Sequence, residues 1–176
     1  MAQSVELLLD PVAEDVLRHE WDQLGDAGLP TERRAAPNEH HRPHITLFAG
    51  DAIDPDTDAV LPSAVTDLDL RVVIGSPLVF GPRGRGGLYV LVRSVVPSLD
   101  LLELQRRVAE MCAAPPDGQF GPGRWSPHVT LARRASAAQV ARALTVLGSG
   151  GGTDLESRVT ACRRWDGTAK TAWFLT

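Results

Sequence analysis

Lysine is almost missing from this chain. Lys170 is the only one among 18 basic residues, so nearly all the positive charge is arginine, the better fork for phosphate. An excess of positive charge is missing too: the formal net charge is −4 and the pI about 5.7. That excludes coating a nucleic acid through bulk positive charge. Cysteine is reduced to Cys112 and Cys162, too few for a disulfide framework and without the CxxC spacing of a zinc site. Both read as free thiols in or near the core. No uncharged apolar stretch approaches the ~18 residues of a membrane span. Met1-Ala2-Gln3-Ser4 lacks the basic start and apolar core of a signal peptide. The reading is a cytoplasmic protein with no membrane partner, and nothing implies a protein partner.

What is present is ordinary for a globular protein: 176 residues, 43% hydrophobic and 23% charged. That length suits one domain or two small, intimately packed lobes. Val5 to Leu9 is an apolar run of strand length. Asp10-Pro11 follows as an N-cap with proline at the first helical position, and Val12, Val16, Leu17, Trp21 and Leu24 continue at helical spacing to a stop at Gly25. Asp26 to Arg42 reads as a loop and His44 to Phe48 as a strand. Asp54-Pro55 starts a helix that Pro62 keeps short or kinked. Leu68 to Ile74 alternates as a strand, Gly81 to Gly87 is a hairpin connector, and Leu88 to Val95 is a strand. Ser98 caps a helix carrying Leu101, Leu104, Val108 and Met111 on one face. Pro115 to Gly123 is loop and His128 to Ala132 a strand. Ser136 and Gln139 form a capping box for a helix stopping at Gly148. Gly148 to Gly152 is a flexible turn, and Leu155 to Arg163 and Thr171 to Leu175 can close the fold as paired strands.

One order recurs. Strand, helix and Pro43-His44-Ile45-Thr46-Leu47 form one unit; strand, helix and Pro127-His128-Val129-Thr130-Leu131 form another. Two copies at matching spacing suggest two lobes about a pseudo-twofold axis. On a strand, residues i and i+2 share a face, so His44 projects with Thr46 and His128 with Thr130, while Ile45 and Val129 face the other way. Facing lobes would bring two imidazoles and two hydroxyls to one cleft. In-line displacement at phosphorus needs a base for the attacking oxygen and an acid for the leaving one, on opposite sides. Histidine suits both tasks. Threonine hydroxyls can donate to the non-bridging oxygens. With five histidines and eleven threonines in the chain, chance gives about 0.3 His-x-Thr pairs, so one copy means little and two inside the same pentapeptide pattern mean a great deal.

With these motifs the chain resembles the two-histidine (2H) phosphoesterase superfamily, and most closely its bacterial RNA 2′,3′-cyclic phosphodiesterases, also called 2′-5′ RNA ligases. The resemblance covers nearly the whole chain: the opening strand ending in Asp10-Pro11, then His44 to Gly50, then Pro127 to Arg133. It implies an α+β, bilobal fold over residues 1–176, with two pseudo-twofold-related lobes, antiparallel sheets around a central cleft and helices outside. It implies opening of a 2′,3′-cyclic phosphate to a 2′-phosphate with no metal and no cofactor, and reversible 2′-5′ ligation when an RNA hydroxyl replaces water. The implied partner is an RNA 3′ end with a cyclic phosphate, or a small cyclic nucleotide. The implied roles are His44 as proton donor, His128 as acceptor, and Thr46 and Thr130 as phosphate ligands. Two features depart from the family pattern at the expected cleft mouth and bear on substrate choice. One is the long Asp26–Arg42 loop with His40, His41 and Arg42. The other is the Gly81–Gly87 loop with Arg83 and Arg85.

Other residues have two readings each. Arg42 and Arg124 just precede the motifs and can reach a phosphate or simply be solvated. Arg133 faces away from His128 and Thr130 by alternation, unless the strand ends or bulges. Trp125 can stack a base or pack in the core, and Phe48 reads as core. His40, His41 and His44 could gather a metal, but Pro43 breaks the helix that the spacing would need and no carboxylate or cysteine completes the set. Gly84-x-Gly86-Gly87 lacks the ending of a phosphate loop. Two rival functions follow: a non-catalytic RNA-end or nucleotide-binding module using the same cleft, and a metal-dependent hydrolase built on the three histidines.

Overall fold

The computed structural model of the chain describes residues 3–36, 40–66, 68–84, 86–148 and 154–175. Arg85, the side chain of Arg83 and most of the Gly148–Gly152 turn lie outside the described residues. The order is β1 (Gln3–Leu9), α1 (Pro11–Asp26), β2 (His44–Gly50), α2 (Pro55–Ala64), β3 (Arg71–Arg83), β4 (Leu88–Val95), α3 (Leu99–Met111), β5 (His128–Ala135), α4 (Ala137–Gly148), β6 (Leu155–Asp166) and β7 (Thr171–Phe174).

The helices begin where their capping chemistry lies. Asp10 accepts from the Ala13 N–H at 3.0 Å, and Ser98 from the Leu101 N–H at 3.2 Å. Ser136 and Gln139 satisfy each other's backbone N–H reciprocally, at 2.8 and 3.3 Å. The end of α1 differs from the expected stop. Gly25 stays helical, and the chain leaves the helix at Gly28, which has φ +68° and lets Leu29 donate back to the Leu24 carbonyl at 2.9 Å. β3 also runs on past Ile74, through Gly75 and Pro77. A bulge between Ile74 and Pro77 absorbs one residue against β4. Pro77 lies beyond the last residue of β3 that β6 pairs, where a missing N–H is tolerated.

The seven strands form one antiparallel sheet in the order β1-β2-β5-β4-β3-β6-β7, and β1 also pairs with β6, so the order closes on itself. The two antiparallel halves that the resemblance implied are thus present, β2-β1-β6-β7 and β5-β4-β3, but joined edge to edge. One joint is β3 on β6, residues 71–74 against 155–158. The other is a single pair between β2 and β5, Ile45 with Val129. The halves share an irregularity. Glu6 stands opposite Thr46 and Val5 opposite Phe48, which leaves Leu47 as the extra residue of a bulge. Val92 stands opposite Thr130 and Leu91 opposite Ala132, which leaves Leu131 in the same role.

The helices cover the side that holds the core. α1 packs on β5 and β6, α3 on β2, and α4 on β4 and β5. Beneath them, Leu7, Leu9, Leu17, Ile45, Leu47, Leu91, Leu101, Val129 and Leu131 belong to one buried cluster. Two polar ties cross it. Arg93 of β4 pairs with Glu20 of α1 and donates to the Gly75 carbonyl. Asp10, besides capping α1, accepts from the Ser157 hydroxyl at 2.7 Å and the Arg158 N–H at 2.8 Å, tying the helix start to β6.

Asp10 therefore carries a testable share of stability. Slight burial pushes its carboxyl up, but the hydrogen bonds from Ala13, Arg158 and Ser157 outweigh this and hold it below the usual 3.8. Asp10→Ala is expected to lose about 1–2 kcal/mol in urea unfolding at pH 7. A depressed carboxyl stabilises above its unfolded value and loses that contribution as pH falls through the folded one. The gap between wild type and variant should therefore narrow below about pH 4.

Candidate active site

The face of the β2–β5 seam opposite the core carries the two motifs. Continuing the Ile45–Val129 register by one residue each way sets His44 opposite Thr130 and Thr46 opposite His128. Each histidine thus neighbours the other motif's threonine. The two histidines lie on a diagonal that spans about 7–8 Å in a regular ladder, room for a phosphate between them. Ile45 and Val129 are fully buried on the other face, and the four motif side chains are half-buried. All four line a cavity of about 530 Å³.

Both imidazoles are oriented in the same way. His44 Nδ1 lies 2.7 Å from the carbonyl of Arg42, and His128 Nδ1 lies 2.7 Å from that of Ser126. A carbonyl only accepts, so each Nδ1 carries the proton and each neutral ring keeps Nε2 as its acceptor. The strands themselves are braced across the seam. The Trp21 indole of α1 donates to the Thr130 carbonyl at 3.0 Å, and the Trp125 indole donates to the Thr46 carbonyl at 3.0 Å. Gln105 of α3 adds a donor to the Leu47 carbonyl at 3.3 Å.

The residues around the motifs fall in several places. Arg124 is exposed at the cavity wall and Trp125 half-buried in it. Phe48 is buried and packs on Phe120, at 5.6 Å between ring centres. Arg133 lines the cavity as well: Leu131, the extra residue of the β5 bulge, shares the core side with Ala132, and this shifts the alternation so that Arg133 falls on the face of Thr130. Its guanidinium reaches the Thr130 hydroxyl at 3.5 Å and is held by Glu32 at 3.0 Å. Arg42 is the exception. Its side chain turns from the cavity to pair with Glu14 of α1, whose other oxygen holds Arg18 at 2.7 Å. A carboxylate within reach on the neighbouring helix claims it, so only the Arg42 carbonyl serves the site.

Sequence reasoning passed over Glu6, Arg163, Glu32 and Arg34, which line the same cavity. Glu6 is 5% exposed. One of its oxygens takes two donors of Arg163, at 2.9 and 2.8 Å; the other accepts from Ser4 at 2.6 Å and lies 3.6 Å from His44 Nε2. Burial pushes its carboxyl up, but the charges of His44 and Arg163 and the hydrogen bonds from Ser4 and Arg163 win and hold it below the usual 4.5, so it is an anion at neutral pH. The signal was visible: Glu6 is the one charge in the run Val5 to Leu9.

The loop after α1 is anchored against the second motif. The Glu32 N–H donates to the Leu131 carbonyl at 2.9 Å. His41 stacks on Trp21 at 5.1 Å between ring centres and meets the Glu32 carbonyl with Nε2. His40 lies against Trp165 at 5.9 Å. His40, His41 and His44 therefore point to different neighbours. Among the described residues no three His, Cys, Asp or Glu side chains are grouped to hold a metal ion.

A family model described as the 2′-5′ RNA ligase superfamily matches residues 13–169. Comparison with curated proteins by sequence found no match. Solved structures share the fold over nearly their full length. TT0787 of Thermus thermophilus is 17% identical, with 100% of this chain and 96% of that one covered and a TM-score of 0.60. Usb1 of Kluyveromyces marxianus is 13% identical, with 99% and 97% covered and a TM-score of 0.57. LigT of E. coli in apo form is 15% identical, with 98% and 92% covered and a TM-score of 0.57. Others are of that Usb1 with uridine monophosphate and that LigT complexed with 3′-AMP. Among the described residues no helix is long and apolar enough to cross a membrane.

The packing of His41 yields a measurable consequence. Burial lowers its pKa below the usual 6.5, against the raising effect of the Glu32 carbonyl. An NMR titration should give this ring a midpoint below 6.5, and the free His41 of the unfolded chain should protonate first. Its contribution to stability is then complete above about pH 6.5 and falls as pH drops from there toward the folded midpoint.

Proposed function

Because the chain belongs to the 2′-5′ RNA ligase superfamily, the two-histidine phosphoesterases, we propose that it opens 2′,3′-cyclic phosphates at RNA ends or on small nucleotides. One observation carries this reading: two imidazoles fixed alike by backbone carbonyls line one cavity with both threonines, beside the Ile45–Val129 pair that joins their strands. A phosphorus held between them has a proton acceptor on one side and a proton donor on the other.

The cyclic phosphate sits with its non-bridging oxygens on the Thr46 and Thr130 hydroxyls, and Arg133 adds charge from the Thr130 side. His128 Nε2 takes a proton from water as the water oxygen bonds to phosphorus. The bond from phosphorus to the ribose 3′ oxygen breaks in line, and His44 gives that oxygen its proton. The product is a 2′-phosphate. An RNA 5′-hydroxyl in place of water gives a 2′-5′ linkage by the same transfers. Acid, base and charge stabilisation all come from this chain, so no cofactor or metal enters the scheme. Arg124 and Trp125 at the wall are placed for the rest of the nucleotide. The mononucleotides in the Usb1 and LigT structures support a ligand of this size.

Hydrolysis of a 2′,3′-cyclic mononucleotide should survive EDTA and follow a bell-shaped pH profile. It should fall about 10²–10⁴-fold in His44→Ala and in His128→Ala. Full activity in either variant sinks the mechanism. Tight binding of the cyclic nucleotide with no turnover in the wild type would mark a binding module instead, and loss of activity in EDTA a metal-dependent hydrolase.

A further inference from the structure

The buried carboxylate at the cavity floor has no place in that scheme. A phosphate-binding cleft is a poor setting for it, because a buried anion costs several kcal/mol to desolvate and repels the substrate. The fold does not ask for it either. Glu6 stands opposite Thr46, and the position with the same register in the other half, opposite Thr130, is Val92. One half of the repeat fills this place with a fully buried valine. The other fills it with an acid, and then spends Arg163 and Ser4 on holding that acid.

We propose that Glu6 is a positioning residue for the proton donor: pinned by Arg163 and Ser4, it supplies the counter-charge for the imidazolium that His44 presents to the leaving oxygen. This rests on the reading of His44 as the acid. At 3.6 Å the carboxylate is too far from Nε2 for a hydrogen bond, so it leaves the Nε2 proton to the substrate while stabilising the charge. Arg163 takes the other carboxylate oxygen, which keeps the oxygen facing His44 in place. Among the described residues, Cys162 on β6 also couples to Glu6 and His41 in the loop after α1 to His44, and His128, Glu32, Arg34 and Arg133 line the same cavity.

The test is the pH profile of kcat for a 2′,3′-cyclic mononucleotide in wild type, Glu6→Gln and Glu6→Asp. Glu6→Gln should lower kcat about tenfold or more with KM changed little, and move the alkaline limb to lower pH. Glu6→Asp should restore part of both. Glu6→Gln leaves Arg163 buried without its counter-ion, so Glu6→Gln/Arg163→Gln is measured too; it should fold and show the same displaced limb. A uniform drop in kcat with the limb unmoved, in the single and the double variant, overturns the proposal and leaves Glu6 a structural residue. Full activity in His44→Ala would instead sink the acid assignment beneath it.

Discussion

One antiparallel pair, Ile45 with Val129, joins the two halves of the sheet where the motifs meet. So short a joint leaves nearby carbonyls without a ladder partner. A buried carbonyl left unsatisfied costs about 1–3 kcal/mol, and two such groups beside each other would open the seam. Trp21 and Trp125 remove that cost: each indole crosses from one half to the carbonyl of the threonine in the other. The placement of both motifs follows from this joint. Its register alone sets His44 opposite Thr130 and Thr46 opposite His128. A slip of one residue would turn the motif of the slipped strand into the core and its Ile45 or Val129 into the cavity.

The charge of the chain makes sense at the same place. An overall −4 opposes a long polyanion, yet the cavity lining holds four arginines and two glutamates. Both glutamates are spent on arginines, Glu6 on Arg163 and Glu32 on Arg133, which fixes those guanidiniums rather than cancelling the field of the whole wall. For the proposed substrate, the local excess is what an end phosphate meets within a Debye length of about 8 Å in physiological salt; the acidic surface beyond is felt by the body of a long RNA. On that proposal affinity is concentrated on one phosphate.

Much of this was legible in the residues. Helix starts were, because caps are local: Asp10, Ser98 and Ser136 each act within three residues. The paired motifs were, because a period-2 face and an exact repeat need no tertiary knowledge. What was not legible depends on partners far away in the chain. Arg42 looked free to meet a phosphate, but Glu14 lies 28 residues back on a helix face that only folding brings near. Arg133 depended on a bulge, and the bulges at Leu47 and Leu131 leave no mark in composition. The β3 extension was hidden by Gly75 and Pro77, which read as breakers until the one-sided pairing of that stretch is known. Glu6 was visible as a charge in an apolar run, but its meaning needed Arg163, 157 residues away.

The proposed in-line displacement imposes a demand that a duplicated unit cannot meet by itself. Two copies of His-x-Thr supply two chemically equal imidazoles, fixed by equal carbonyls at equal distances. The reaction needs them unequal at every instant, one carrying the proton to be given and one ready to receive. The difference must come from neighbours that the repeat does not share. Phe80 meets the His128 ring edge-on at 4.9 Å, an apolar contact that suits a neutral base. Glu6 meets His44, an anionic contact that suits a charged acid. The two environments diverge at β1 and β3, outside both motifs. On the proposed mechanism the repeat therefore builds the clamp, and the strands flanking it assign the direction of proton transfer.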